Sequence, residues 1–250
     1  MLKSKNPSHL EVVDVFYILD MDRCLVNTEK LVVFLRDIVA IELGIDEAEM
    51  DIARREYEKE GGSFDTAAFV MSVMDGRGKD GPAEWHHIKE RFVTRARDED
   101  MLEPYASELL AILRYHNYPL GIVTYGGEQW QTAKMTAAGL IHIPHLVTHN
   151  SDKGRLIASW QLVSGYFLVP SALTGRQPVI AKKLVFIDDK PISFKGIPAE
   201  VTSICAIAPG VVWSTKVLGA LPDSVVVVHG LHEAIQLLFG HQDDVYIDKA

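Results

Sequence analysis

Cysteine is nearly absent: Cys24 and Cys205 are the only two in 250 residues, too few and too far apart for a disulfide framework or a Cys-based zinc site. No stretch reaches the ~18 to 20 uninterrupted apolar residues of a membrane helix, and the polar, proline-containing residues 1–11 do not read as a signal peptide. The expectation is a soluble, cytoplasmic protein with no membrane partner. Blocks rich in Lys and Arg are missing too, and 25 basic against 34 acidic residues leave a net charge of -9. That argues against a nucleic acid as main partner, because backbone binding rests on clustered cations. A small substrate is favoured, handled by a monomer or weak homodimer. There is no internal repeat or low-complexity tract. The 48% hydrophobic content suffices for a sizeable core plus a modest insert.

Residues 15–19 form a short, continuous apolar run rich in β-branched and aromatic residues, as expected of a buried central strand in a parallel sheet. The run leads straight into Asp20, Met21 and Asp22. Taken alone, such carboxylates serve equally well as turn or helix caps. Two later runs repeat the pattern, however. Residues 120–123 lead into Thr124, Tyr125, Gly126 and Gly127, and residues 184–187 lead into Asp188 and Asp189. Ligands of such sheets bind at the carboxyl ends of the strands, so three strands delivering polar groups to one edge predict an active site.

Between the first two of these strands the period becomes helical. Leu31, Phe34, Leu35, Ile38 and Ile41 recur at helical steps up to Gly44. Asp46 and Glu49 read as the start of a second helix reaching Gly61 and Gly62. Ser63 reads as the cap of a third, carrying Phe64, Ala68, Met71 and Met74, and Pro82 as the first turn of a fourth, through Trp85, Ile88 and Phe92. About seventy residues exceed the dozen or more that a right-handed crossover needs. The surplus predicts a helical insert, residues 27–100, within a core of residues 1–26 and 101–250. Later elements are a helix at 105–115, a helix at 128–138, a strand at 145–149, a helical stretch from Lys153 to 160, strands at 203–208 and 225–228, and a helix at 232–239. Residues 161–181 show no period. Gly126 and Gly127 permit close backbone approach at a helix start, which makes the amides near Thr124 a candidate anion site, although a plain strand-to-helix turn has the same pattern.

Together these residues resemble the haloacid dehalogenase superfamily of phosphatases and related phosphoryl-transfer enzymes, over nearly the whole chain. Its first motif, a strand followed by Asp, any residue and Asp, is similar to Asp20 to Asp22; its second, a strand ending in Thr or Ser, to Thr124; its fourth, paired acids after a strand, to Asp188 and Asp189. The family usually continues the first motif with Gly and Thr, where this chain has Arg23 and Cys24. The resemblance implies an α/β fold: a Rossmann-like doubly wound parallel sheet core with an inserted all-helical cap domain that opens and closes over the site. It implies a Mg²⁺-dependent phosphatase acting on a small phosphorylated metabolite, with Asp20 as nucleophile and Asp22 as general acid/base. Thr124, Tyr125, Gly126 and Lys153 would bind phosphate. Asp20, Asp22 through its backbone carbonyl, Asp188 and Asp189 would hold the metal.

Lys153 is chosen over Lys182 and Lys183 by strand geometry. The latter two stand before the run 184–187, and ~5 residues at ~3.3 Å place them about 16 Å from the site edge. Lys153 follows the strand near His149 on the carboxyl edge. Among ten histidines, His142, His145 and His149 lie close together, but Pro144 breaks any helix through them and strand spacing separates their faces. Packing or surface roles are expected, with His149 a candidate for the pocket wall. Trp85, His86 and His87 are possible substrate contacts, although Trp on an amphipathic helix more often packs in a core. Competing readings are a phosphomutase, a halide-displacing dehalogenase, which needs neither the Asp22 acid nor a metal, and a non-catalytic phosphate-binding regulator.

Overall fold

Along the first strand Phe16 and Ile18 join one buried cluster while Tyr17 and Leu19 join another, on the opposite side of the sheet. Leu184 and Phe186 divide from Val185 and Ile187 in the same way. Both faces of the sheet centre are therefore covered, which explains why these runs are continuously apolar. The computed structural model describes residues 10–59 and 64–240; the expected features at Gly61, Gly62 and Ser63 lie outside the described residues.

The chain runs β1 (Val12–Leu19), α1 (Thr28–Leu43), α2 (Glu47–Lys59), α3 (Thr66–Gly76), α4 (Gly81–Ala96), α5 (Ala106–Tyr115), β2 (Leu120–Tyr125), α6 (Glu128–Ala137), β3 (His145–Thr148), α7 (Lys153–Ala158), β4 (Phe167–Val169), α8 (Ser171–Thr174), β5 (Val179–Asp188), β6 (Thr202–Ile207), α9 (Thr215–Leu218), β7 (Val225–His229) and α10 (Gly230–Phe239). The sheet order is β3-β2-β1-β5-β6-β7, with all neighbours parallel. β4 pairs antiparallel with the first residues of β5, an element hidden in the unreadable stretch 161–181. β5 begins at Val179, so Lys182 and Lys183 lie inside a strand and not ahead of it. Both are exposed, and that polarity interrupts the apolar run from which the strand was read. Among the described residues no helix is long and apolar enough to cross a membrane.

Helices α1 to α4 have local starts and stops. Asn27 Oδ1 accepts from Lys30 N at 3.0 Å, and Gly44 ends α1 in the left-handed conformation at φ +61°. Asp65 caps α3, its Oδ1 accepting from Ala67 and Ala68 N–H, and Asp80 caps α4 ahead of Pro82. The segment leaves and rejoins the sheet side by side: Asn27 N–H donates to Met101 O at 2.9 Å and Glu103 N–H to Leu25 O at 3.0 Å.

Among the described residues these four helices share one core with the sheet. Leu31, Leu35, Ile88 and Phe92 belong to the same buried cluster as Tyr17 and Leu19. Trp130 of α6 is the joint, with its ring 5.6 Å from Phe92 and 6.4 Å, edge-on, from Trp85. Trp85 is thus a core residue, 4% exposed. Replacing Trp130 by Ala should cost about 3–5 kcal/mol of unfolding free energy, the usual range for emptying an aromatic core position. Denaturant titration measures it, and a loss under about 1 kcal/mol would show that the joint carries no weight.

Candidate active site

β2, β1 and β5 lie side by side and point the same way, so Thr124, Asp20 and Asp188 reach one edge of the sheet. The chain reverses its direction of strand addition between β1 and β5, which is where ligands of such sheets bind. Asp20 N–H donates to Ile187 O at 2.9 Å, extending the β1–β5 ladder by one residue and fixing Asp20 beside Asp188. Lys153, the first residue of α7, donates from its ammonium to Asp20 Oδ1 and, at 2.7 Å, to Asp188 Oδ2. Lys182 lies elsewhere, paired with Asp14 at 2.7 Å on the exposed surface.

Asp20, Asp188 and Asp189 each bring a carboxylate oxygen within 4.8 Å of the others, and all three residues are buried. Asp20 Oδ2, both Asp189 oxygens and Thr124 Oγ1 are buried without a hydrogen-bond partner. Orphaned buried oxygens are rare in folded chains, and a cluster of carboxylate oxygens fits a hard cation such as Mg²⁺. Burial, then the charge of Asp188, pushes Asp20 up to about 6 against the opposing pull of Lys153. Burial, then Asp20 and Asp188, pushes Asp189 up to about 8.

The side chain of Asp22 is not part of this cluster. It accepts from the Lys134 ammonium, from Thr28 Oγ1 at 2.8 Å and from Gln131 Nε2 at 3.1 Å. Burial works to raise its pKa, but Lys134 and Lys190, with the hydrogen bonds of Lys134 and Thr28, outweigh burial and hold the carboxyl below the usual range. Lys190 shows the same balance from the other side: burial opposes its charge, and Asp20, Asp189 and Asp22 overcome that.

Tyr125 lines a cavity of about 460 Å³ in front of the site, together with Asp22, Lys134 and Lys190. Gly126 N–H is committed to Thr148 O at 3.1 Å. Gly126 has φ +148°, and a β-carbon there would stand 2.6 Å from Gln131 Nε2; glycine is required here to let Gln131 reach Asp22. Gly127 gives room to the insert instead, since its β-carbon would lie 1.8 Å from Asp65 Oδ2. His149 is exposed, and Ser151 takes the wall position expected for it. Among the described residues no histidine joins the carboxylate cluster.

Sequence reasoning missed Thr28, Gln131, Lys134 and Lys190. Lys190 had a signal, because it directly follows Asp188 and Asp189. Gln131 and Lys134 had none: both are polar residues on α6, yet they are 2% and 3% exposed, and helical periodicity assigns such residues to solvent.

The raised carboxyls have a consequence for stability. Unfolded Asp titrates near ~4, so between there and about 8 the folded, metal-free chain binds more protons than the unfolded chain. Its stability should fall as pH rises through that window. A divalent cation displaces those protons, so Mg²⁺ should raise the melting temperature more at pH 8 than at pH 5. Asp189→Asn should shrink that difference. Thermal melts in Mg²⁺ against chelator check it, and a Mg²⁺ effect independent of pH would refute the cluster as its origin.

No protein-family model matches the sequence, and no curated protein sequence matches it significantly. Solved structures do. A Burkholderia xenovorans protein described as a haloacid dehalogenase-like hydrolase superposes with a TM-score of 0.56 at 17% identity, covering 86% of this chain and 95% of its own. A Bacillus subtilis protein, YfnB, described as a HAD-hydrolase bound to magnesium, gives 0.54 at 13% identity, covering 90% and 98%. The 2-haloacid dehalogenase of Pseudomonas syringae pv. tomato gives 0.51 at 17% identity, again covering 90% and 98%. The chain has the fold of the haloacid dehalogenase-like hydrolases.

Proposed function

We propose that the protein is a Mg²⁺-dependent phosphatase that hydrolyses a small phosphomonoester through an aspartyl-phosphate on Asp20. The observation that carries this reading is the set of buried, unpartnered oxygens on Asp20, Asp189 and Thr124 at the strand ends, beside the Lys153 ammonium that holds Asp20 and Asp188. A halide displacement would need the nucleophile but not the second pair of acids. Asp188 and Asp189 therefore favour phosphoryl chemistry over the dehalogenase activity named for the P. syringae neighbour.

In this mechanism Asp20 Oδ2 attacks phosphorus as the ester P–O bond opens in line with it. Thr124 Oγ1 and the ammoniums of Lys153 and Lys190 face the phosphoryl oxygens, and Lys153 also orients the nucleophile. The leaving alkoxide takes a proton delivered through Asp22, which accepts a hydrogen bond from the Lys134 ammonium; Lys134 is the reservoir of that proton while the Asp22 carboxyl is held ionised. In the second half the same pair recovers a proton from the water that attacks the aspartyl-phosphate, releasing inorganic phosphate and free Asp20. Asp20, Asp188 and Asp189, with the Asp22 carbonyl, would hold Mg²⁺, which supplies charge neutralisation between carboxylates and phosphate. Helices α1 to α4 would act as the cap that closes the site and chooses the substrate.

Hydrolysis of an aryl phosphate should require Mg²⁺ and disappear in Asp20→Asn, while Asp22→Asn slows turnover and lets phospho-enzyme accumulate. Turnover that survives exhaustive chelation would remove the metal from the proposal. Transfer of the phosphoryl group to a second hydroxyl of the substrate, followed by phosphorus NMR, would identify a mutase; an inert chain that still binds phosphate would identify a regulator.

Lys153→Ala should depress kcat by about two to four orders of magnitude, as for other preorganised charges at a reacting group. The double change Lys182→Ala with Lys183→Ala should leave kcat within about twofold, because surface ion pairs such as Lys182 with Asp14 contribute little. The reverse pattern would overturn the assignment of Lys153.

A further inference from the structure

Asp22 stands on the turn after β1, and the last torsion of an aspartate side chain is soft, so the partners of its two oxygens decide which way they point. Those partners are unequal. Oδ1 accepts from the Lys134 ammonium and from Thr28 Oγ1 at 2.8 Å, whereas Oδ2 has one donor among the described residues, Gln131 Nε2 at 3.1 Å.

Gln131 is itself held. Its Nε2 donates a second time, to the carbonyl of Tyr125, the last residue of β2. Both amide hydrogens are thereby used, and because both partners are acceptors the orientation of the amide follows. The side chain bridges the end of β2 to the acid carried by the turn after β1. Gly126 makes room for it, since a β-carbon there would stand 2.6 Å from Nε2. The bridge has a cost: Gln131 Oε1 is buried with no partner, and an unpaired buried acceptor lowers stability. Methionine would fill the same length without that cost. What glutamine adds is its two donors.

We infer that Gln131 is a positioning residue for the proton transfer at Asp22: by clamping Oδ2 to the end of β2 it fixes the rotation of the carboxylate, and so its aim at the leaving oxygen of the ester. Thr28 and Lys134 do not suffice, because both hold Oδ1, and one held oxygen is a pivot about which the other can turn. The inference rests on the phosphatase reading of the same site. A small error of aim is enough to slow such a step substantially.

The test is the kcat/KM of the full chain with Mg²⁺ on 4-nitrophenyl, phenyl and benzyl phosphate, esters of similar shape whose leaving oxygens depend increasingly on a proton. Nitrophenolate leaves without help; a benzyl alkoxide does not. This parameter follows the step in which the ester bond opens, not the later hydrolysis of the aspartyl-phosphate. Gln131→Met keeps the length of the side chain and removes both donors. In that variant kcat/KM on benzyl phosphate should fall about ten- to hundredfold, part of what acid catalysis supplies, and the loss should exceed that on 4-nitrophenyl phosphate by about tenfold or more. Gly126→Ala, which retains the amide but drives it from its place, should show the same bias. A loss of equal size on all three esters would make Gln131 a packing residue and overturn the inference, as would an undiminished rate on benzyl phosphate. Thermal melting shows whether each variant is folded, and if one is not, the other decides. If the unaltered chain hydrolyses none of the three, the phosphatase reading falls and the positioning role with it; an active chain with an even loss overturns the role alone.

Discussion

Four carboxylates buried at one edge of a sheet cannot remain there without cations, and the Lys153 ammonium is the first of these. It stands against Asp20 at the end of β1 and Asp188 at the end of β5, and so holds the two central strands' charges together. Burial opposes the charge on Lys153, and Asp188 and Asp20 overcome it. Such a group adds little net stability, because desolvation cancels most of the attraction, but breaking the set leaves an uncompensated buried charge at about 3–5 kcal/mol. Chemistry is the better reason for keeping it. Fully ionised, Asp20, Asp22, Asp188 and Asp189 would exceed Lys134, Lys153 and Lys190 by one negative charge, an excess that the raised Asp20 and Asp189 carboxyls relieve by holding protons. A divalent cation would displace those protons and reverse that sign.

Helix α6 ties this charge set to the inserted helices. Gln131 and Lys134 reach Asp22 from one side of the helix, while Trp130 packs between Trp85 and Phe92 of α4. The Lys134 ammonium also lies 5.3 Å from the Trp130 ring centroid, close enough for a cation–π contact. Movement of α4 against the sheet would therefore be felt at Lys134 and through it at Asp22. The position of α4 and the environment of the Asp22–Lys134 pair are set by the same few residues.

The sheet edge was legible because its signals are local. A continuous apolar run followed by acids or Thr marks the end of a buried strand, and that rule alone placed Asp20, Thr124, Asp188 and Asp189 together. The helices of the insert were legible from their 3.6-residue period and from caps such as Asp46, whose Oδ1 accepts from Glu49 N at 2.7 Å. What stayed hidden depends on contacts between distant segments. Gln131 and Lys134 are buried only because α6 is covered on two sides, and β4 exists only by pairing with the first residues of β5, Val179 to Ala181. Gly126 was read as a place for an anion, whereas its open space is filled by a side chain five residues on.

Arg23 illustrates how a departure from a family pattern can leave the backbone unchanged. The position that the resembling family gives to glycine has φ +60° in this chain, a conformation that costs a residue with a β-carbon roughly 1–2 kcal/mol. Arg23 N–H donates to Val26 O at 2.9 Å and meets Thr28 Oγ1 at 3.2 Å, so the turn after Asp22 is fixed by the very residue that also binds the Asp22 carboxylate. Its guanidinium pairs with Glu29, an acid in the first turn of α1, where the helix dipole favours negative charge. That exposed pair is worth less than the strain it accompanies. Glycine would hold the same turn with less strain, so the arginine must be accounted for by its side chain, which lies in the cavity wall beside Asp22. Residues kept in costly conformations concentrate at functional sites, and Arg23 is the positive-φ side chain that lines this cavity, whereas Tyr105 and Asn117, with the same sign of φ, do not.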